Sequence, residues 1–182
     1  DKKTAVCGMK KAKSFALIAN YIDCSLMRNT VALWLANYLE MPFANHCVPV
    51  KVYFNGLCKG QYMLTEKTGI GSGSVDIDEE KGMLFEIDSN YDEDYKFAYD
   101  LYSHTAVQNG HNNTRTLPVM ISDPDLTEIA PALGFTADEY FDTWKNDFSA
   151  MLTAVMTTPS TGSLKEYIDI ESVVNFFMVN SL

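Results

Sequence analysis

An Asn-Gly pair at residues 55–56 constrains the fold of this chain more than any other feature. It stands between two β-rich runs, Val48–Phe54 and Leu57–Glu66. Asn and Gly both accept the positive φ that a tight two-residue hairpin turn requires, so this pair is the strongest short-range signal for a hairpin. The sequence therefore predicts two antiparallel strands between Val48 and Glu66.

A segment with helical spacing, apolar over a wide arc, precedes this hairpin. Two neighbouring helical stripes run through residues 25–40, one containing Trp34 and the other Leu35. A helix that is apolar over so wide an arc must be packed on two sides. We therefore predict a helix over residues 25–40, packed against the sheet of the hairpin with Trp34 buried. Pro42 ends it, because a proline disfavours helix at the residue before it.

Short apolar runs predict further strands. Phe15–Ala19 has the composition of a buried strand, and three later runs have strand character: Met83–Asp88, Tyr95–Leu101 and Leu117–Ser122. Between them, Gly69–Ser74 superficially resembles a phosphate-binding loop. However, it has Ser where the dinucleotide fingerprint needs its last Gly, and no helix follows it. We interpret this segment as a flexible linker.

The last third of the chain has helical spacing. Thr136 and Glu139 form a capping-box sequence, and aromatic and aliphatic residues follow at helical intervals. Asp169 can cap a last helix, which is still apolar at Leu182 without a stop signal. We therefore expect the chain to be a fragment of a longer protein.

Together these elements predict an α+β fold with a mixed or antiparallel sheet, a packed long helix and a following helical part. At 182 residues the chain has the length of one domain. We place the strand, helix and hairpin part at residues 1–125 and the helical part at residues 126–182.

The composition excludes several classes of protein. A hydrophobic content of 47% excludes a disordered chain, and a net charge of -10 argues against a binder of duplex DNA. No apolar run approaches the roughly 20 residues of a membrane-spanning helix, so we expect no transmembrane segment. The charge is uneven: residues 1–67 carry +5 and residues 68–182 carry -15. This split favours an anion at the first part and a cation or basic partner at the second, or else a solvated acidic surface.

The residues alone supply no convincing catalytic set or metal site. Glu86 and Asp88 lie two apart on a predicted strand and would project from the same face. Two such acids can bind a metal or transfer protons, or they can belong to a solvated strand face. The four cysteines contain no C-x-x-C pair, which excludes the common zinc motifs, and we expect free, partly buried thiols.

Four strings resemble, in the same order, the spore coat protein H (CotH) kinase family. They cover the following residues: Leu17–Asn29, Val52–Gly56, Gly60–Glu66 and Gly82–Asp88. The similarity is strong over residues 6–125 and loose over the helical third.

This resemblance implies an atypical protein-kinase-like fold and ATP-dependent phosphorylation of Ser in a protein partner. It implies ATP and magnesium as cofactors of the full-length family, and an extracellular or cell-surface location. By this resemblance we expect the family's catalytic and metal-binding aspartates beyond residue 182, and its Arg-Gly-Asn-Ser segment before residue 1. The resemblance therefore implies a partial kinase domain, truncated at both ends, without catalytic residues or metal ligands of its own. An alternative is a non-catalytic secreted or cell-surface module that binds carbohydrate or protein.

The resemblance also carries over a set of residues that would support the nucleotide cleft. Those with a cofactor-binding role are Arg28, Glu66, Glu86 and Asp88, and Asp23 and Asn29 belong to the same family strings.

Two of these residues begin the predicted helix. Asp23 or Ser25 can cap it, whereas the helix dipole disfavours a cation such as Arg28 in the first turns. We therefore expect Arg28 to be buried and paired with Glu66, Glu86 or a bound phosphate. The alternative is an exposed, solvated Arg28.

The expectation that the magnesium ligands lie outside these residues leads to a first prediction. The isolated 182-residue chain should not transfer phosphate, because kinases need carboxylates that hold magnesium. Incubation with radiolabelled ATP and a protein acceptor measures this. Clear magnesium-dependent incorporation would mean that the catalytic residues lie within these residues after all.

Overall fold

The computed structural model describes residues 2–101, 116–157 and 164–181 of the chain. Its contacts divide the chain into two compact units, residues 1–78 with 171–182, and residues 79–170. Antiparallel sheets and helices occur in the described residues, so the predicted α+β class is confirmed. A single domain over residues 1–182 stays a prediction. Leu182, on which the expected continuation of the last helix depends, lies outside the described residues.

The first unit contains a three-stranded antiparallel sheet with β3 at its centre. Its strands are β1 (Phe15–Ile18), β2 (Cys47–Phe54) and β3 (Leu57–Glu66), in the order β1-β3-β2. Asn55 and Gly56 have φ values of 49° and 79°, so the predicted hairpin turn is confirmed. The register shifts between Val52 and Tyr53, so that Val52 pairs with Gly60 but Tyr53 with Cys58. This bulge leaves Lys59 as an extra residue in β3.

The predicted strand at Phe15–Ala19 forms as β1, but the prediction that it is buried is wrong. β1 is an edge strand, which pairs in the sheet with β3 alone. Leu17 is 51% exposed, and Ile18 is exposed as well. An apolar run by itself does not distinguish a central strand from an edge strand, because both need the same local conformation.

Helix α1 spans Arg28–Tyr38, which is shorter than the predicted residues 25–40. It lies against β2 as predicted, and Asn37 Nδ2 donates to the carbonyl oxygen of Asn45, 2.9 Å away. The buried residue of the helix is Ala36. Trp34 is 65% exposed, so its predicted burial is wrong. The helix turns its small residue inwards, and Trp34 stacks on the exposed ring of Tyr38, with 5.6 Å between ring centroids.

The second unit contains another three-stranded antiparallel sheet. Its strands are β4 (Leu84–Glu86), β5 (Lys96–Asp100) and β6 (Thr116–Asp123), in the order β4-β6-β5. All three lie at predicted positions with shifted ends, and β4 is the most shortened. The central strand β6 supplies fully buried side chains, because Val119 and Met120 have no exposed area.

An aromatic layer joins this sheet to helix α3 (Ala137–Thr157). Phe148 of the helix packs on Phe85 with 4.4 Å between ring centroids, and Phe141 packs edge-on against Phe97. The hydroxyls of Tyr99 and Thr153 lie 2.9 Å apart, close enough for a hydrogen bond between strand and helix. The helical spacing in this part of the sequence therefore corresponds to a real packing face.

Capping interactions set the starts of the helices in the second unit. Asp125 caps the short helix α2 (Leu126–Ile129) by accepting from the Thr127 amide, and a 3₁₀ turn follows at Pro131–Leu133. The predicted capping box of α3 is confirmed: Thr136 Oγ1 accepts from the Glu139 amide at 3.2 Å, and Glu139 Oε2 accepts from the Thr136 amide at 2.9 Å.

A last helix, α4 (Ile170–Asn180), begins directly after Asp169, close to where the sequence predicts one. Among the described residues, no helix is both long enough and apolar enough to cross a membrane.

The capping box yields a stability prediction. Thr136→Ala removes the acceptor for the Glu139 amide and should lower the free energy of unfolding by about 0.5–2 kcal/mol, as N-cap substitutions do. Denaturant unfolding followed by circular dichroism measures the change. Thr143→Ala is the matched control, because Thr143 is exposed within the same helix and alanine there has the higher helix propensity. Equal losses in the two variants would contradict the capping role.

Candidate functional site

A small polar cavity lies in the first unit, beside the end of β3. It has a volume of about 180 Å³, and its lining includes the following residues: Lys10, Asn37, Phe43, His46, Glu66 and Ser74. Pockets that enclose a whole drug-sized ligand usually measure about 300–1,000 Å³. The cavity is therefore large enough for one end of such a ligand.

Glu66 is the most deeply buried charged residue at this cavity. It is 1% exposed at the end of β3. Its Oε2 accepts from the backbone amide of His46 at 2.8 Å, and Asn45 Nδ2 donates to its carbonyl oxygen at 3.0 Å. A buried carboxylate is costly unless hydrogen bonds compensate it. Glu66 thus fixes the backbone just before β2.

The imidazole of His46 lies beside the same carboxylate. Its Nδ1 is 3.3 Å from Glu66 Oε1, although this oxygen accepts no well-aligned hydrogen bond from the described residues. The pair is therefore a close contact and not a hydrogen bond. The His46 side chain is 42% exposed. Thr65 Oγ1 donates to the carbonyl oxygen of His46 at 2.9 Å and holds its backbone in place.

The segment Gly69–Ser74 forms an ordered turn that lines this cavity, so its interpretation as a flexible linker is wrong. The amide of Gly71 donates to the carbonyl of Val75 at 2.8 Å, and the amide of Val75 donates to the carbonyl of Gly69 at 3.0 Å. Gly73 packs so closely on the Lys11–Ala12 backbone that a Cβ there would collide with the Lys11 carbonyl oxygen. Ser74 Oγ is buried and finds no hydrogen-bond partner among the described residues.

Asp23 accepts hydrogen bonds from amides in the loop before α1, but the N-cap residue of this helix is Met27 rather than Asp23. Its Oδ2 accepts from the amides of Met27 and Arg28 at 3.0 and 2.9 Å, and its Oδ1 accepts from the amide of Ser25 at 3.0 Å. These bonds, led by that from Arg28, lower the pKa of Asp23 from 3.8 to about 2. Asn29 Nδ2 also donates to Asn20 Oδ1 at 2.8 Å and ties the first turn of the helix to the loop.

The expectation that Arg28 is buried and paired with Glu66 or Glu86 is wrong. Its side chain is 87% exposed, and its Nε lies 3.7 Å from Asp23 Oδ1. Glu66 instead accepts a hydrogen bond from the backbone amide of His46. The carboxylate of Asp23 compensates the cation at the start of the helix, where the dipole alone would disfavour it.

Glu86 and Asp88 do not share a strand face, because β4 ends at Glu86. Asp88 lies beyond the strand and accepts from the amide of Asn90 at 3.0 Å in a local turn. Within the described ranges, no group of three or more His, Cys, Asp or Glu side chains is arranged to hold a metal ion. A cofactor-binding role of Arg28, Glu66, Glu86 or Asp88 stays a prediction.

The four cysteines are free thiols, and burial differs among them. Cys47 alone is partly buried, whereas the other three are exposed, so the expected partial burial holds for one residue. Burial, together with the nearby charge of Glu66, raises the pKa of the Cys47 thiol.

Sequence reasoning missed His46, Lys10 and Ser74 as members of one site. The hairpin register indicates approximately which residue lies opposite Glu66. Counting outward from the turn without a bulge places Asn45 opposite Glu66, whereas the observed pairing of Cys47 with Thr65 places His46 there. Ser74 reaches the cavity through a turn that is held by packing against residues distant in the sequence. No short sequence pattern predicts such packing.

The family model described as CotH kinase protein matches residues 1–182, the whole of the sequence. The chain therefore belongs to this family, and the resemblance carried by its four strings is confirmed. No match was found among curated proteins or among solved structures.

The lowered pKa of Asp23 predicts a pH-dependent stability. A folded-state pKa of about 2 against an ordinary value of 3.8 stabilises the fold above pH 3.8, and this contribution is lost as the pH falls towards 2. Asp23→Asn should therefore be less stable than the wild type at neutral pH, and the difference should shrink over that acid range. Urea unfolding at a series of pH values measures it.

Asp92→Asn is the control, since it removes one carboxylate from an exposed position in the loop before β5. A carboxyl NMR titration of Asp23 gives the pKa directly. A stability difference that stays constant down to pH 2 would contradict the role of these amide bonds.

Proposed function

We propose that this CotH-family chain is part of an atypical kinase that transfers phosphate from ATP to Ser of a protein partner, with the cavity beside Glu66 receiving the base of the nucleotide. The family match over the whole chain supports the kinase-related theme. The order of elements agrees with it, since α1 is followed by the β2–β3 hairpin. The small lobe of a protein kinase likewise runs from its regulatory helix into its last two strands.

The cavity is the observation that carries this proposal. It lies at the end of the Gly60–Glu66 string, one of the four that resemble the family. Its lining combines apolar Met41 and Phe43 with polar groups that include Asn37 and Ser74. The lining is mostly polar, unlike the predominantly apolar walls of most drug-sized sites, so hydrogen bonds to the edges of the ring would supply the recognition. A flat heterocycle with polar edges fits this composition.

The size of the cavity limits the proposal to the base. A volume of about 180 Å³ lies below the range for a whole nucleotide-sized ligand. Phosphoryl transfer also needs magnesium ligands and a group that orients the nucleophile. The described residues contain no cluster suited to a metal ion, so we assign none of them to magnesium or to proton transfer.

ATP binding by the full-length protein tests this placement. Gly73→Ala should weaken ATP binding measured by isothermal titration calorimetry, because a Cβ at Gly73 displaces the turn that lines the cavity. Ser72→Ala is the matched control: it alters the neighbouring exposed residue and should bind ATP like the wild type. Circular dichroism on both variants confirms that they are folded.

Two results would contradict the proposal at different levels. A folded Gly73→Ala variant with unchanged ATP affinity would exclude this cavity as the base site. A full-length wild-type protein that neither binds ATP nor phosphorylates protein Ser in the presence of magnesium would exclude the kinase assignment. It would favour the alternative of a non-catalytic carbohydrate- or protein-binding module.

A further inference from the structure

We propose that the tip of the β2–β3 hairpin attaches this protein to an anionic lipid surface. In this arrangement its apolar side chains enter the headgroup layer and its lysines bind lipid phosphates. The hairpin tip is residues 51–61. The inference goes beyond the proposed kinase function and does not depend on it.

The hairpin tip extends past the third strand of its sheet. β1 pairs with Met63–Glu66 of β3, so in the described part of the chain the sheet gives residues 57–61 no partner other than β2. Every residue from Tyr53 to Gln61 is exposed. The tip is therefore accessible to a large partner without any rearrangement of the unit.

Three large apolar side chains lie in this exposed segment. Tyr53, Phe54 and Leu57 are 61%, 65% and 66% exposed. Removal of apolar area from water is the main favourable contribution to most associations, and exposed apolar patches mark sites of protein or membrane interaction. The tip therefore has the composition of a contact surface.

The distribution of these side chains favours a lipid layer over a protein partner. Tyr53 and Phe54 are successive residues of a strand, so they point to opposite faces of the hairpin. Leu57 lies directly opposite Phe54 in the register and shares its face. A protein that docks on a hairpin covers one face, whereas a lipid layer surrounds an inserted tip on both. Tyrosine is also enriched where membrane and water meet.

Two lysines lie behind the apolar side chains, one on each arm of the hairpin. Lys51 is three residues before Phe54, and Lys59 is two residues after Leu57, so their Cα atoms lie about 7–10 Å behind that pair. Apolar groups of interfacial proteins enter the boundary between headgroups and acyl chains by a similar depth, about 5–10 Å. Insertion of the pair therefore brings both ammonium groups to the level of the lipid phosphates.

The local charge identifies the lipid surface as anionic. Residues 47–65 contain Lys51 and Lys59 but no Asp or Glu, although the whole chain carries a net charge of -10. Exposed charges separated by more than a Debye length, about 8 Å at physiological ionic strength, are largely screened. The two lysines therefore dominate the electrostatic contact at the tip.

The turn itself limits the depth of insertion. Asn55 and Gly56 place polar groups at the end of the hairpin, and backbone groups in the hydrocarbon core have no water to bind. The headgroup layer still supplies water and lipid oxygens as partners. The hairpin tip therefore suits a shallow attachment and not a crossing of the bilayer.

Sedimentation of the full-length protein with lipid vesicles tests the inference. The wild type should bind vesicles of phosphatidylcholine mixed with phosphatidylglycerol more tightly than vesicles of phosphatidylcholine alone. Added salt should weaken this binding, because it screens the lysines. Binding to neither kind of vesicle, or equal binding to both, would overturn the inference and leave the nucleotide proposal standing.

A first set of variants tests the apolar side chains. Phe54→Thr and Leu57→Thr should each weaken binding to the mixed vesicles about tenfold, because an inserted apolar group is lost while a strand-forming residue is kept. Tyr38→Thr is the matched control, since Tyr38 is 72% exposed and follows Asn37, which bonds to Asn45 at the base of the hairpin. Folded hairpin variants that bind like the wild type would overturn the inference.

A second set tests the lysines. Lys51→Gln and Lys59→Gln should each weaken binding to the mixed vesicles about fivefold. Lys67→Gln is the matched control, because Lys67 is exposed just beyond the other end of β3 and should bind like the wild type. Unchanged binding by the double variant of the hairpin lysines would overturn their role.

Gel filtration tests the other occupant of the tip, a second copy of this chain. The wild type and Phe54→Thr should elute alike in the absence of lipid. A wild-type dimer that Phe54→Thr dissociates, with vesicle binding unchanged, would overturn the inference in favour of pairing between two copies.

Discussion

The first unit depends on the pairing of β3 with both of its neighbours. β3 is the central strand, and its last four residues are buried, so its position determines where the cavity can form. The Asn55-Gly56 turn starts the pairing with β2, and the bulge at Lys59 shifts it by one residue. That shift places His46 rather than Asn45 at the position opposite Glu66 in the register. The hydrogen bond from the His46 amide to the buried carboxylate then locks the register at the far end of the hairpin.

Elements whose structure depends on neighbouring residues were predictable from the sequence. The hairpin turn and the Thr136–Glu139 capping box each need specific residue types at a fixed short spacing, and both formed. Burial was less predictable, because it depends on packing between distant segments. Trp34 is exposed because α1 turns Ala36 inwards, and β1 is half exposed because it lies at a sheet edge. Neither fact has a local signature.

The candidate site was predictable only in part. The family resemblance indicated Glu66, but no spacing rule connects it with His46, which is 20 residues away and separated by a bulge. Ser74 joins them through a turn that depends on close packing of Gly73 against Lys11. The predicted burial of Arg28 is wrong for a different reason. The helix dipole does require a compensating carboxylate, but this carboxylate is that of the nearby Asp23 and not a buried glutamate.

The placement of the two tryptophans gives the second unit an optical reporter that the first unit lacks. Trp34 lies in the first unit and is largely in contact with water, whereas Trp144 lies in the second unit among the aromatic side chains of its core. Indole emission moves to longer wavelength when the ring passes from an apolar environment into water. Fluorescence of the intact chain therefore follows the unfolding of the second unit through Trp144, and Trp34 contributes an almost constant background.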